Sequence, residues 1–388
     1  MRLLIYLLLI APLATSAQAL RDINYSYLYS TNTPVTVKFQ TVRHTGNWTT
    51  FVELSLTDTT QKIDDYEIQL ETRASLSDKE GKPISFNTED LITDRRRISA
   101  QVSTPLQEQP MVLAARVFNR PKNRAWYFYT ILEPKYPIVF GLKAEGRPLL
   151  HNYLSGTEQV SLSGEAQRVA VAYYDDVFPP APLPFAEQLG RVSRGMSVDS
   201  SFYLDSSEPF SLDRRGLYLL QADTNAAEGL ALRVDDDYPK YRKVESLAEP
   251  LVYICTKQEF NRIKQAQGDK RAFDRVILSI TKDAARAKTL MRNYFRRVEQ
   301  ANTYFSSYKE GWKTDRGMIL IIFGQPSEVF RFGDREVWSY KNESFKATFE
   351  FAKAPSLFDP ENFVLIRSKK YEQTWYEVVD LWRNARPL

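Results

Sequence analysis

The chain is most tightly constrained at Gly311–Pro326. There Gly-Trp-Lys-Thr-Asp-Arg-Gly runs into Met-Ile-Leu-Ile-Ile-Phe and stops at Gly-Gln-Pro. Gly311 and Gly317 bracket Thr314-Asp315-Arg316, so the chain can turn sharply on both sides. Asp315 suits such a turn because its carboxylate accepts nearby backbone N–H groups. Arg316 offers five fixed donors, and Trp312 is a large apolar body with one N–H to satisfy. Met318–Phe323, a short unbroken apolar run between turn signals, predicts a strand buried on both faces. Two readings follow. In one the stretch is a structural corner, with Trp312 as core plug, Asp315 as turn cap and Arg316 as local brace. In the other Trp312, Asp315 and Arg316 belong to a binding or catalytic site. Two charges beside a buried strand more often form a satisfied turn than a site.

Residues 1–19 read as a secretory leader. Arg2 is the basic start, Leu3–Ala14 the apolar stretch and Ala17-Gln18-Ala19 a small-x-small cleavage site, so export is expected, with a mature start at Leu20. The leader's apolar stretch is too short for a stable membrane anchor, and no later run is long enough for a transmembrane helix. No cysteine follows the cleavage site, so no lipid anchor is indicated.

A net charge of +4 on 388 residues lends no support to nucleic-acid binding. The single cysteine, Cys255, rules out an intramolecular disulfide, and its apolar surroundings (Leu251-Val-Tyr-Ile-Cys) suit a small buried hydrophobe better than a reactive thiol.

Residues 20–135 predict an all-β domain. Apolar residues alternate at Val35/Val37/Phe39, Val52/Leu54/Leu56, Tyr66 to Leu76, Ile98/Ala100/Val102, Met111/Leu113/Ala115/Val117 and around Trp126–Ile131. Six such strands suggest an immunoglobulin-like sandwich. Arg95-Arg96-Arg97 starts a strand and reads as a solvated loop rather than an anion site. Residues 136–237 predict a second β domain, with strands at Gln159–Leu162, Arg168–Tyr174, Ser201–Leu204, Gly216–Gln221 and Leu230–Val234. The proline-rich Val177–Phe185 favours polyproline II, as a stiff crossing loop or a ligand for an aromatic groove. Asp235-Asp236-Asp237 lacks the spaced ligands of a calcium loop.

Residues 238–250 are polar, with a proline near each end, and mark a linker. Beyond it, 251–388 predicts an α+β domain. Thr256 with Glu259 forms a capping box opening a helix through Gln265. A short helix follows at Phe273–Ile280. The longest helix starts near Asp283, its apolar stripe running through Ala287, Leu290, Tyr294, Val298, Ala301 and Phe305. Strands at Glu336–Tyr340, Lys346–Phe351 and Asn362–Arg367 precede a helix at Trp375–Trp382, with Met318–Phe323 as the expected central strand.

The helix Asn293–Asn302, then Gly311-Trp312-Lys313-Thr314-Asp315-Arg316-Gly317, Phe323-Gly324-Gln325-Pro326 and Val337-Trp338 resemble the GWxTD-domain family of secreted bacterial proteins. The resemblance covers about residues 250–345 and implies no established activity. Gln325, where that family often has proline or a small residue, is a mild departure.

Catalytic constellations are sparse. His44 and His151 are the only histidines and fall in different predicted domains, so neither a histidine-ligated metal nor a Ser-His-Asp or Cys-His site is indicated, and no phosphate- or dinucleotide-binding glycine loop is present. No cofactor is implied. A carboxylate pair remains open among Asp315, Glu328, Asp334, Glu336 and Glu350. The expected function is a non-catalytic binding or assembly module of the periplasm or cell surface that meets an envelope protein partner. The alternative is a carbohydrate- or peptidoglycan-directed protein using carboxylates and exposed aromatics such as Trp375 and Trp382. No oligomeric state is assigned.

Overall fold

The computed structural model describes residues 18–85, 92–175, 177–187, 196–206, 208–266 and 268–386. The expected leader at 1–19 falls almost wholly outside them.

The first β unit holds β1 (Val35–His44), β2 (Asn47–Leu56), β3 (Tyr66–Arg73), β4 (Lys82–Ile84), β5 (Ile92–Thr93), β6 (Arg97–Pro105), β7 (Met111–Asn119) and β8 (Arg124–Leu132). They form two four-stranded antiparallel sheets, ordered β1-β2-β6-β5 and β4-β3-β7-β8. Strand alternation delivers one face of each sheet to a shared core of Val52, Leu54, Leu70, Leu113, Val117 and Trp126. The alternation from Tyr66 outlasts its strand: β3 ends at Arg73, Ser75 turns on Asp78, and Leu76 enters the C-terminal core instead.

The second unit holds β9 (Phe140–Ala144), β10 (Arg147–Pro148), β11 (Tyr153–Leu154), β12 (Val160–Gly164), β13 (Arg168–Tyr174), β14 (Ser200–Asp205), β15 (Gly216–Gln221) and β16 (Leu230–Val234). Its sheets run β10-β9-β12 and β11-β16-β15-β13-β14, antiparallel except for β11 beside β16. Val177–Phe185 forms no strand. It crosses to the C-terminal region, where the Pro182 carbonyl accepts from Arg367 at 3.0 Å and the Pro184 carbonyl from the Ser368 N–H at 3.0 Å.

The C-terminal region contains α1 (Val244–Ala248), α2 (Lys257–Gln265), α3 (Lys270–Thr281), α4 (Ala284–Phe305), α5 (Asp315–Phe323) and α6 (Glu372–Arg383), with an antiparallel sheet of β17 (Glu328–Arg331), β18 (Arg335–Lys341), β19 (Lys346–Lys353) and β20 (Phe363–Leu365). Thr256 and Glu259 make the expected capping box on α2, and Asp283 caps α4. Arg383 of α6 grips Glu259 through two 2.8 Å hydrogen bonds, and this pairing takes its carboxyl down to about 2. Residues 238–250 pack on α4: Asn302 donates to the Pro239 carbonyl at 2.9 Å and Tyr294 to the Pro250 carbonyl at 2.6 Å.

Two corrections bear on the corner. Met318–Phe323 is helix α5, not a central strand. Every residue of α5 except Arg316 is buried, against α4, α6 and β20. A run buried on all sides carries no period, so length and flanks decide. Here the flanks are helical. The Thr314 hydroxyl accepts the Gly317 N–H at 3.0 Å, and Gly324 closes the end at φ 79°. The C-terminal carbonyls of α5 are also met from outside: Trp382 donates to Ile322 at 2.9 Å and Arg297 to Ile321 at 3.1 Å. Second, Gly311 and Gly317 serve close approach rather than positive φ. A Cβ on Gly311 would lie 2.0 Å from the Ala301 carbonyl oxygen, and one on Gly317 would lie 1.9 Å from that of Gly311.

The start of the chain also joins this region. Leu20, Ile23, Tyr25 and Tyr29 lie in the C-terminal core, and the Tyr25 N–H donates to the Val329 carbonyl at 2.8 Å along the β17 edge.

Because the obstacles at Gly317 are backbone atoms, Gly317→Ala is expected to destabilise the protein by about 3 kcal/mol, as overpacking of a rigid site does. Urea unfolding followed by circular dichroism checks this, and an unchanged midpoint contradicts the packing.

Candidate functional site

The corner begins where α4 ends. Asn302, fully buried on α4, accepts the Trp312 backbone N–H at 3.0 Å. Trp312 is 1% exposed. Its indole N–H donates to the Tyr241 hydroxyl at 3.0 Å, its carbonyl accepts from Tyr253, and the Tyr253 ring meets it edge-on at 6.0 Å.

Asp315 opens α5, but Thr314, not Asp315, caps the turn. The Asp315 carboxylate reaches about fifty residues along the chain. One oxygen accepts the Leu365 N–H at 2.8 Å on β20, and both oxygens receive the Arg367 guanidinium. Asp315 and Arg367 are both largely buried, so this is a charge-assisted bidentate clamp out of water.

Arg316 faces the other way. It sits between the rings of Phe305 and Phe363, at 5.0 and 4.7 Å, and donates to the Glu361 carbonyl at 3.1 Å. At 3.4 Å it also approaches Glu336, a fully buried carboxylate that accepts from Arg331 at 2.8 Å and from the Trp338 indole at 3.1 Å. Burial pushes the Glu336 carboxyl up, but Arg331 and Arg316 outweigh it and hold it below its usual range.

A third group lies just before the corner. Glu310, 4% exposed, is held at 3.0 Å by Arg233 of β16 and at 3.1 Å by Lys313, both buried. Burial again pushes the carboxyl up, and the two cations bring it below normal.

The sequence-predicted residues therefore separate. Trp312 and Asp315 point inward, whereas Arg316 lies along a core edge. Of the other carboxylates named for a pair, Glu328 meets Lys341 at 2.7 Å and Glu350 lies 3.9 Å from Arg335, whereas Asp334 is exposed. Trp375 and Trp382 are buried at 1% and 5%, which corrects the expectation of exposed aromatics there. Their spacing with Val378 and Val379 on α6 is the apolar stripe of a packed helix. Cys255 is a half-buried free thiol pushed up to about 12 by burial. Asp237 accepts the N–H groups of Arg242 and Lys243, and Asp236 that of Gly156, so the acidic triplet fastens backbone turns. No group of side chains suited to a metal occurs among the described residues.

Sequence reasoning missed Arg233, Asn302, Glu310 and Arg367. Asn302 was within reach, because it follows Val298 by four positions on the buried face of α4. Arg233 and Arg367 carry no local signal.

Half-buried Asp359, which accepts the Glu361 N–H at 3.0 Å beside Arg316, goes against the trend: burial raises it to about 6 from 3.8, with Arg316 pulling the other way. The folded state thus holds this proton more tightly than the unfolded chain, so its contribution to stability falls as pH rises from about 4 to about 6. Asp359→Asn is expected to gain stability relative to wild type across that window. Melting temperatures of both proteins at several pH values check it, and a constant difference contradicts it.

Residues 216–384 match the model of the GWxTD domain family. No curated protein matches the chain. The match starts at β15, upstream of the stretch that carries the motif, and so includes Arg233, the partner of Glu310. The chain carries a GWxTD domain running from β15 through α6.

Proposed function

We propose that the chain is an exported, non-catalytic protein of the bacterial envelope that serves as a protein-binding or assembly module. Its immunoglobulin-like β units act as spacers that hold the GWxTD domain. The observation that carries this reading is the inward commitment of the corner's acids. Asp315, Glu310 and Glu336 are buried and each is gripped by one or more cations. Glu310 and Glu336 are held below their usual range, the opposite of what a general acid needs. The carbohydrate alternative loses the tryptophans expected to serve it, because all six tryptophans of the chain are buried.

With the corner inside, a partner must meet another surface. We assign it to β14, the outermost strand of its sheet, whose outer edge pairs with no described strand. Phe202 and Tyr203 are 38% and 60% exposed, and nearby Val198 is 50% exposed. The strand carries neither lysine nor proline, the usual guards of an open edge. Such an edge suits an extended segment of another protein that adds a strand to the sheet.

A photo-crosslinking residue at position 203, activated in intact cells, tests this. The expected result is one defined envelope protein joined at that position and lost when Phe202→Asp is added. No adduct, or the adducts also seen from exposed position 278 on α3, contradicts the proposal.

A further inference from the structure

The first and second β units meet beside an open cleft of about 700 Å³ lined by Ser55, Leu56, Asp94, Arg95, Arg96, Arg97 and Arg147. Four arginines thus line a space to which the described residues supply one carboxylate. The arrangement is held by local chemistry. Asp94 accepts the Arg96 N–H at 2.8 Å, and its own N–H donates to the Arg97 carbonyl at 3.0 Å, closing a tight turn before β6. Arg96 is fastened to the end of β2 twice, by its carbonyl to the Leu56 N–H at 2.9 Å and by its guanidinium to the Leu56 carbonyl at 3.0 Å. Arg147 arrives from the β9–β10 hairpin, its Nη1 3.8 Å from the Asp94 carboxylate, too long for a hydrogen bond. The side chains of Arg95 and Arg97 make no hydrogen bond or ion pair with any described residue.

We propose that this cleft binds a multivalent oxyanion carrying two or more phosphoryl groups. Four arginines lining one cleft favour an anion that neutralises them, and each free fork matches phosphoryl oxygens in bidentate fashion. A single phosphate is small against a cleft of this volume, whereas linked phosphates fill more of it. The ligand then bridges the two β units and stiffens their junction. Soluble polyphosphate and a phosphate-bearing lipid surface share this chemistry.

The test uses the full exported chain with two probes, tripolyphosphate followed by calorimetry and phosphatidylglycerol vesicles followed by co-sedimentation. The variant is Arg95→Glu/Arg147→Glu. Arg271→Glu/Arg275→Glu on exposed positions of α3 makes the same charge change elsewhere. Binding to at least one probe is expected at about 50 mM salt, weakening steeply as salt rises. The cleft variant is expected to bind about tenfold or more weakly, as loss of charge-assisted hydrogen bonds implies, with the α3 variant close to wild type. Tripolyphosphate binding marks a soluble ligand, and vesicle binding alone marks a lipid surface. Binding to neither probe, or equal loss in both variants, overturns the proposal.

Discussion

The Asp315–Arg367 clamp is the contact on which the C-terminal architecture depends. It joins the first residue of α5 to the strand end that precedes α6, and the same carboxylate takes the Leu365 N–H of β20. A buried ion pair adds little net stability over a well-packed apolar substitute, because desolvation cancels much of its attraction. Its effect is on specificity. With Asp315 and Arg367 out of water, any register of α5 against β20 that separates them leaves a bare buried charge. Glu336 with Arg331 and Arg316, and Glu310 with Arg233 and Lys313, repeat this logic on β18 and at β16. Three buried acids thus tie the second β unit, the helices and the last sheet into one arrangement.

Glycine makes this geometry reachable. Gly311 lies against the Ala301 carbonyl on α4, and Gly317 against the Gly311 carbonyl, so helix α5 starts almost in contact with the end of α4. Aromatic rings fill the space that close approach leaves. Trp338 lies between Tyr29 and Phe351, and Phe323 meets Phe349 at 4.8 Å. Tyr29 comes from the start of the chain, so the C-terminal core is completed by residues about three hundred positions upstream.

What was legible in the sequence follows from which interactions are local. Period-two strands such as Asn47–Leu56 show plainly because one face is wet. The capping box at Thr256 and the Asp283 cap also show plainly, since their partners lie three residues away. Helix α5 misled because total burial erases the polar face that distinguishes a helix from a strand. The tryptophans of α6 misled for a different reason: their spacing held the stripe, but the closing helix was taken to be open on that side. Trp312, Asp315 and Arg316 stand out in the sequence, yet Arg367 and Glu336, the partners of the two charges, are set by tertiary structure alone.

The central claim is that the corner is an internal clasp. A double-mutant cycle on Asp315→Ala and Arg367→Ala, read by urea unfolding, tests it most directly. The account predicts that each single variant loses about 3 kcal/mol or more and that the double variant loses far less than their sum, since removing both partners leaves no bare buried charge. Additive losses, or single variants as stable as wild type, would contradict it.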